Sequence, residues 1–453
     1  MRIYILAILT IFLVGCAPKS GIDNYEVIYK FEDVNQSYEV KKEWYKLYHQ
    51  NYLNSLVDRA LSKNQDMLIA SLNTMQAYAR VGIIEADKFP TFIANYQIDT
   101  SRNLNTNNSS WQDRYGANLS ASYEIDLFRK IEDSISALKW QTIATKFDKD
   151  SLELSIMNSV VSAYFKELFL NSSLRLLNEN LNNYKKLYNL ANLKFKNGKA
   201  SLDSPLEAKK AILSLESKIL SYQKDRLSNQ EFLKNLLFMG KDENLNIPNI
   251  LLEDVNLVGV DLEIPYYALT YRPDLNALIA SINSSFYNYL TSKKAFYPSI
   301  TIGSTLSSNE DDIKHSFDLI DLSANLRINL PFLNYKRLKG QLKVDELEFE
   351  KRVVNYQKKL LEITNELDRL NSEHKVITNE LKNSENIAKN NYKLSNLYHK
   401  RYINGKYELK DYIESKNSYI NSKISILEQK YMLINNEIAI YKTLSGKYEN
   451  RQL

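Results

Sequence analysis

From Tyr115 to Leu127 apolar and polar side chains alternate strictly. Tyr115, Ala117, Leu119, Ala121, Tyr123, Ile125 and Leu127 form one face, and Gly116, Asn118, Ser120, Ser122, Glu124 and Asp126 the other. Three further stretches, Phe92 to Ile98, Ile300 to Leu306 and Leu322 to Leu330, alternate in the same way. Period two predicts β-strands. Runs of about ten alternating residues suit transmembrane strands, apolar toward lipid and polar toward a lumen. A soluble, half-buried sheet alternates identically, so the pattern alone leaves both open. On the first reading Asn118, Glu124, Asn325 and Arg327 point into a barrel lumen. Polar loops over 102–114 and 308–316 join the strands into two hairpins. Four strands cannot close a barrel, and open edges are not tolerated in lipid. Several copies would therefore share one barrel, and three copies would supply about twelve strands.

Most of the remaining chain predicts helix. Apolar positions recur at three and four, as at Leu360, Ile363, Leu367 and Leu370. One helical pattern runs from about Ile131 to Lys196 without proline or glycine, and another from about Arg337 to Asn404, interrupted only by Gly340. Roughly 66 residues at the α-helical rise make about 100 Å. Each long helix turns at Asn-Gly-Lys and returns, through Leu202 to Met239 or Leu409 to Leu444. The shorter helices, 54–89 and 268–297, are left to stack end-on with these returns.

The pattern occurs twice. Asn64-Gln65-Asp66 opens a helical stretch that stops at Pro90, and Arg272-Pro273-Asp274 opens one that stops at Pro298. FKNGKASL, Phe195 to Leu202, matches YINGKYEL, Tyr402 to Leu409, and Gly240-Lys241 matches Gly446-Lys447. Gly198 and Gly405 are 207 positions apart. The chain reads as a tandem duplication of helix, strand hairpin, long helix and return helix.

Composition narrows the function. With 44% hydrophobic and 25% charged residues the chain folds. Only 11 glycines and 8 prolines interrupt it, as long helices require. The net charge of +5 is spread along the sequence, with no basic block for nucleic acid. His49, His315, His374 and His399 are scattered without metal-ligand spacing, and there is no phosphate-binding glycine loop. No catalytic constellation converges, so the chain reads as a non-enzyme without metal or cofactor. Cys16 is its only cysteine, which excludes disulfides and thiolate metal sites. Arg2 and the apolar run Ile3 to Val14 have the form of an export signal, too short to span a bilayer. Leu13-Val14-Gly15-Cys16 resembles the bacterial lipoprotein box, which would make Cys16 a lipidation site, and Ala17 resembles the outer-membrane sorting pattern.

These features together are similar to the TolC family. The duplicated halves, the proline-terminated helices, SYEIDLF after one hairpin, LRINLPF after the other, YRPDL opening the second half and Tyr402-x-x-Gly405 carry the resemblance. With the lipoprotein box they resemble its lipidated branch, the outer-membrane factors of resistance-nodulation-division efflux pumps. Phe128-Arg129 departs from that branch's Trp-Gly, and Phe195 replaces the tyrosine of the first tip.

The resemblance implies a mainly α fold with a small membrane β part. Duplicated helical hairpins form an α-barrel tunnel, and four strands join a trimeric twelve-stranded barrel. It implies a signal peptide (1–15), a lipidated segment in an equatorial belt (16–50), a first-half helix (51–90) and a barrel hairpin (91–127). A long helical hairpin (128–240) and an equatorial link (241–267) follow. The second half repeats the helix (268–298), barrel hairpin (299–332) and long hairpin (333–446) before a tail (447–453). The expected function is a passive outer-membrane exit duct for drugs and other small molecules. The homotrimer would sit in outer-membrane lipid, opened by a periplasmic adaptor and fed by an inner-membrane transporter. Gly198, Lys199, Tyr402, Gly405 and Lys406 fall at the adaptor-docking tips. Tyr402 matches a tyrosine that braces the closed state, whose acidic partner position reads Ser204, beside Asp203. Asp411 and Glu414 match acidic residues at the periplasmic aperture, and three copies of each would make cation-attracting rings. A duct for type I protein secretion and a coiled-coil protein without a pore are the alternatives.

Overall fold

The computed structural model describes residues 18–27, 38–104, 110–264 and 266–450. The signal-peptide and Cys16 assignments lie outside the described residues. Among the described residues seven α-helices follow in order: α1 Asn51–Lys63, α2 Gln65–Glu85, α3 Lys130–Lys196, α4 Asp203–Leu236, α5 Pro273–Lys294, α6 Tyr335–Ile403 and α7 Leu409–Leu444. The strands are β1 Tyr38–Lys41, β2 Thr91–Ser101, β3 Gln112–Ile125, β4 Ser299–Glu310, β5 Asp321–Asn329 and β6 Lys447–Asn450. The chain divides into two compact units. One comprises Leu72–Asp148, Asn276–Lys358 and residues 18–27, the other Lys149–Leu275 with residues 38–71 and 359–450.

In the first unit β2, β3, β4 and β5 form one antiparallel sheet in chain order. The two hairpins meet along β3 and β4, and β2 and β5 are its edges. The helices lie side by side. Val81 of α2 packs with Ile131 and Ile135 of α3. Ser284 of α5 donates to the Ala137 carbonyl of α3 at 2.8 Å. Ile282, Phe286 and Tyr289 of α5 pack with Leu338, Leu342 and Phe349 of α6. Residues 18–27 dock on α5 and α6: Ile22 joins this cluster, Tyr25 Oη donates to Asn283 at 2.7 Å, and Asp23 pairs with Lys293 at 2.6 Å.

In the second unit the lateral order is α4, α3, α7, α6. Asn229 of α4 donates to the Ala163 carbonyl of α3 at 2.9 Å, Asn183 of α3 to Asn417 of α7 at 3.0 Å, and Asn436 of α7 to the Leu370 carbonyl of α6 at 3.0 Å. One apolar cluster fills it, with Val160, Tyr164 and Leu177 from α3, Ile212 and Leu233 from α4, Ile424 and Ile438 from α7, and Trp44, Leu53 and Val57 from the N-terminal segment. Residues 447–450 of the expected tail form β6, which pairs antiparallel with β1.

Three sequence expectations need correction. The helix expected over 54–89 is two helices, because Asn64 takes an extended conformation (φ −62°, ψ 132°). Its Oδ1 accepts from the N–H groups of Asp66 at 2.9 Å and Met67 at 3.3 Å, so it ends α1 and caps α2. The helix expected from 268 begins at Pro273, preceded by a 3₁₀ turn over Tyr266–Tyr271. Finally, Gly240 is not the counterpart of Gly446. Phe238 (φ 48°) and Ser445 (φ 59°) are the matching left-handed caps, followed by Met239 N–H to Lys234 O and Gly446 N–H to Tyr441 O, both 2.9 Å. Met239 therefore occupies the place of Gly446.

Candidate functional site

The register of the sheet sorts its side chains by polarity. Residues directly opposite in antiparallel strands share a face. Asn118 stands opposite Asn95 and Ser307. Glu124 stands opposite Thr301, which stands opposite Arg327, and Gly303 lies between Ser122 and Asn325. All four expected lumen residues, Asn118, Glu124, Asn325 and Arg327, thus share one face. The other face joins Ala94 to Leu119, Leu119 to Leu306 and Leu306 to Leu322, with Tyr123, Ile302 and Leu326 in a parallel row. Leu119, Ile302, Leu322 and Leu326 are exposed there. Gly303 makes room for Asn325, since a Cβ would lie 2.8 Å from the Asn325 Oδ1.

The sheet is joined to α3 by a cap that the SYEIDLF motif supplies. Asp126 accepts from the N–H of Ile131 at 3.2 Å and of Glu132 at 3.0 Å, which satisfies two of the free donors at the start of α3. Lys130 reaches back to Glu124 at 2.8 Å. Phe128 stacks on Tyr297 with ring centroids 4.7 Å apart. Arg129 is left-handed (φ 59°), which explains why glycine suits this position.

The two helical tips share one geometry. Gly198 (φ 69°) and Gly405 (φ 65°) reverse the chain. Lys199 N–H donates to Lys194 O at 2.8 Å, and Lys406 N–H to Arg401 O at 2.9 Å. Lys199 and Lys406 therefore stand at equivalent positions. Tyr402 stacks on Tyr412 at 6.2 Å, while Asp203 accepts from the Ser201 hydroxyl. Tyr402 makes no bond to residues 203–204 among the described residues, in keeping with Ser204 standing where the family's acidic partner would. The tips are joined by Lys194 and Glu408 at 2.7 Å instead.

Asp411 and Glu414 line one groove with Asn391, Leu394, Tyr398, Ser415 and Ser418. Glu414 is exposed and lies 3.8 Å from Lys410. Asp411 also holds the start of α7, since its Oδ2 accepts from the Glu408 N–H at 3.0 Å in a reciprocal capping box. The Glu408-x-x-Asp411 spacing carries that signal in the sequence.

One group has no sequence signature. Glu437 of α7 is buried and accepts from Tyr48 Oη at 3.2 Å and from Gly259 N–H at 3.1 Å. Tyr441, one turn on, donates to the Gly259 carbonyl at 2.6 Å. Burial pushes the Glu437 carboxyl above its ordinary range, against the hydrogen bonds from Gly259, Tyr48 and Val258. Segments from both expected belt regions thus converge on α7. Among the described residues no group of three or more His, Cys, Asp or Glu side chains could hold a metal ion, and no helix is long and apolar enough to cross a membrane.

The model of a family described as outer membrane efflux protein matches residues 56–237 and 264–446, once per half. Over 443 residues the chain is 30% identical to "Toxin and drug export protein A" of Aggregatibacter actinomycetemcomitans, covering 96% of each. The fold matches the CmeC outer membrane channel of Campylobacter jejuni with a TM-score of 0.81 at 22% identity, over 96% of this chain and 94% of that one. It matches the open state of the MtrE outer membrane channel of Neisseria gonorrhoeae with a TM-score of 0.77 at 20% identity, over 95% and 98%.

Proposed function

The chain belongs to the outer membrane efflux protein family, and from that membership we propose that it is the passive exit duct of a tripartite multidrug or small-molecule efflux system. The observation that carries the reading is the sheet: one polar face, one apolar face and two unlike open edges. Such a sheet closes in lipid when β2 of one copy pairs with β5 of the next. Three copies make a barrel wide enough for an aqueous lumen lined by Asn118, Glu124, Asn325 and Arg327. Cys16 carries the lipid anchor in the outer membrane, and α3, α4, α6 and α7 build the periplasmic tunnel. The tips at Gly198–Lys199 and Tyr402–Lys406 receive a periplasmic adaptor, which couples the duct to an inner-membrane transporter of the resistance-nodulation-division type. Asp411 and Glu414 ring the aperture. Nothing in this reading needs catalysis.

Deletion should sensitise cells to small toxic compounds, and the purified protein should conduct ions across a planar bilayer. Absence of conductance would favour the coiled-coil reading without a pore. The 30% identical relative is named for export of toxin as well as drug, which keeps protein cargo as a second reading. Loss of a secreted protein on deletion, without drug sensitivity, would select it.

A further inference from the structure

One row of the sheet departs from the apolar pattern of its face. The neighbouring row carries Leu119, Leu306 and Leu322, whereas the row of Tyr96, Ala117 and Ser308 places small side chains on β3 and β4. The loop between β4 and β5 lies in the seat they leave. Ser308 Oγ donates to the Ser316 carbonyl, Tyr96 Oη donates to Ser316 Oγ at 3.3 Å, and Phe317 stacks on the Tyr96 ring with centroids 5.0 Å apart. The loop thus reaches from β4 to β2 across the apolar face, and Ala117, Ser308 and Ser316 are buried there. Its own polar groups bond internally. Ser316 Oγ donates to the Ile313 carbonyl at 2.7 Å, and the N–H groups of Asp318 and Leu319 donate to His315 O and Phe317 O, both at 2.9 Å. What the loop turns outward is apolar: Phe317 is 70% exposed and Ile320 69%, next to Leu322 at 74%.

We propose that the loop over residues 311–320 is a lipid anchor, which seats Phe317 and Ile320 at the boundary between acyl chains and headgroups of the outer leaflet and so sets the depth of the duct's mouth. The inference rests on the duct reading above, which puts lipid on the apolar face. The loop stands at the end of the sheet away from α3, since β3 runs from Gln112 to Ile125 and α3 follows. Ala117 lies eight residues before Ile125. At the rise and tilt of barrel strands that is about 20 Å along the barrel axis, close to the outer limit of an apolar band about 25 Å tall. Deeper in hydrocarbon an irregular loop is not tolerated, because its free backbone groups would go unpaired. At the boundary the internal bonds suffice, and the outer face of the Phe317 ring meets lipid, as aromatic rings do at membrane interfaces. Another copy pairs through the open edges of β2 and β5, whereas this patch lies on the face, where lipid is the neighbour.

The test attaches a spin label at Phe317→Cys in the full chain, reconstituted in phosphatidylcholine vesicles, with Cys16→Ser so that one thiol is present. Labels at Leu322→Cys and Asn118→Cys are the references for the lipid face and the lumen. The Phe317 label should collide with oxygen as often as the Leu322 label does, and with a water-soluble nickel chelate several-fold less often than the Asn118 label. Because that label replaces the stacked ring, a label at Ile320→Cys, which leaves the Tyr96–Phe317 stack intact, should give the same result. Nickel access at both 317 and 320 equal to that at Asn118 would overturn the anchor. Protection of both from oxygen and nickel alike would overturn it in favour of contact with a neighbouring copy. A further variant, Ala117→Leu with Ser308→Leu, fills the seat and should shift the Phe317 label into water, and an unchanged label would also overturn the proposal. If the Leu322 label does not meet lipid and the Asn118 label does not meet water, the duct reading fails instead.

Discussion

The Asn64 side chain donates from Nδ2 to the Leu236 carbonyl at 3.0 Å, tying the start of α2 to the end of α4. In the second half Arg272 Nη1 donates to the Thr443 carbonyl, tying the start of α5 to the end of α7. Asn64 and Arg272 are 208 positions apart. The duplication has thus kept a contact while changing the side chain that makes it. Each bond satisfies a carbonyl at a helix terminus. The YRPDL motif also has its explanation here, because Arg272 grips Asp274 through Nε at 2.9 Å and Nη2 at 2.7 Å.

Arg272→Ala should destabilise the protein by about 3–5 kcal/mol, the range for breaking a buried ion pair. Asn64→Ala should cost about 1 kcal/mol, as for a lost cap. Burial acts to raise the Asp274 carboxyl, but Arg272 and Lys359 hold it below its ordinary value. A depressed carboxylate stabilises above its unfolded value, and that stabilisation is lost as pH falls through the lowered one. Denaturant midpoints of the detergent-solubilised protein should show this acid-sensitive component, and Arg272→Ala should remove it.

Asp126 is the next structural residue of a recognisable motif. Asp126→Ala frees two N–H groups at the start of α3 and should cost about 1–2 kcal/mol. Arg129→Gly should be neutral or stabilising by up to about 1 kcal/mol, because a left-handed residue carries a Cβ penalty that glycine lacks. Thermal unfolding of the two variants should move in opposite directions or, at most, only the first should move.

His374 of α6 holds Asn436 of α7 through Nδ1 at 3.0 Å. Burial lowers its pKa from 6.5, against the bond to Asn436. The neutral ring is therefore favoured by folding. Its stabilisation is complete above the unfolded value and is lost as pH falls through the lowered folded value, by at most about 1.4 kcal/mol per pH unit. Unfolding midpoints should decline on mild acidification in the wild type and less steeply in His374→Gln. Parallel curves would exclude this histidine.

The parts that were legible in the sequence are those with a local rule. A one-residue slip would move Asn118, Asn325 and Arg327 to the apolar face, so alternation alone set the strand faces. Gly198 and Gly405 were legible because a reversal after a long helix needs a left-handed residue. Glu437 was not, since a buried carboxylate has no period, and its partners Tyr48 and Gly259 are remote in sequence. The pairing of β1 with β6 brings together residues 38–41 and 447–450, which no short window can show. Asp411 carries two signals, a capping box and a family position, and the two point to different roles. The Tyr402 brace belongs to the resemblance alone, and Ser204 stands where its acidic partner would.

Cys16 should carry the lipid, on the strength of Leu13-Val14-Gly15-Cys16. Metabolic labelling with a fatty acid should mark the wild type and leave Cys16→Ser unmarked, and equal labelling would refute it. The unlipidated protein should still reach the membrane, since a closed barrel is itself an anchor.

The aperture prediction needs a substitution that spares the fold. Asp411 accepts from the Glu408 N–H, so Asp411→Ala would remove a charge and a helix cap together. Asp411→Asn keeps an acceptor oxygen at that position and removes only the charge, and Glu414→Gln does the same on the exposed side of the helix. In a threefold duct each position becomes a ring of three carboxylates, a cation-attracting constriction. The wild type should prefer cations and be blocked by multivalent cations added from the periplasmic side. The Asp411→Asn, Glu414→Gln protein should lose most of that preference and of the block, with trimers and thermal stability unchanged. Asp411→Ala with Glu414→Ala should lose stability as well, by about 1 kcal/mol per chain for the cap. Single-channel recording of both double variants separates the two roles. If the Asn/Gln protein keeps its selectivity, these carboxylates serve the start of α7 and the constriction lies elsewhere.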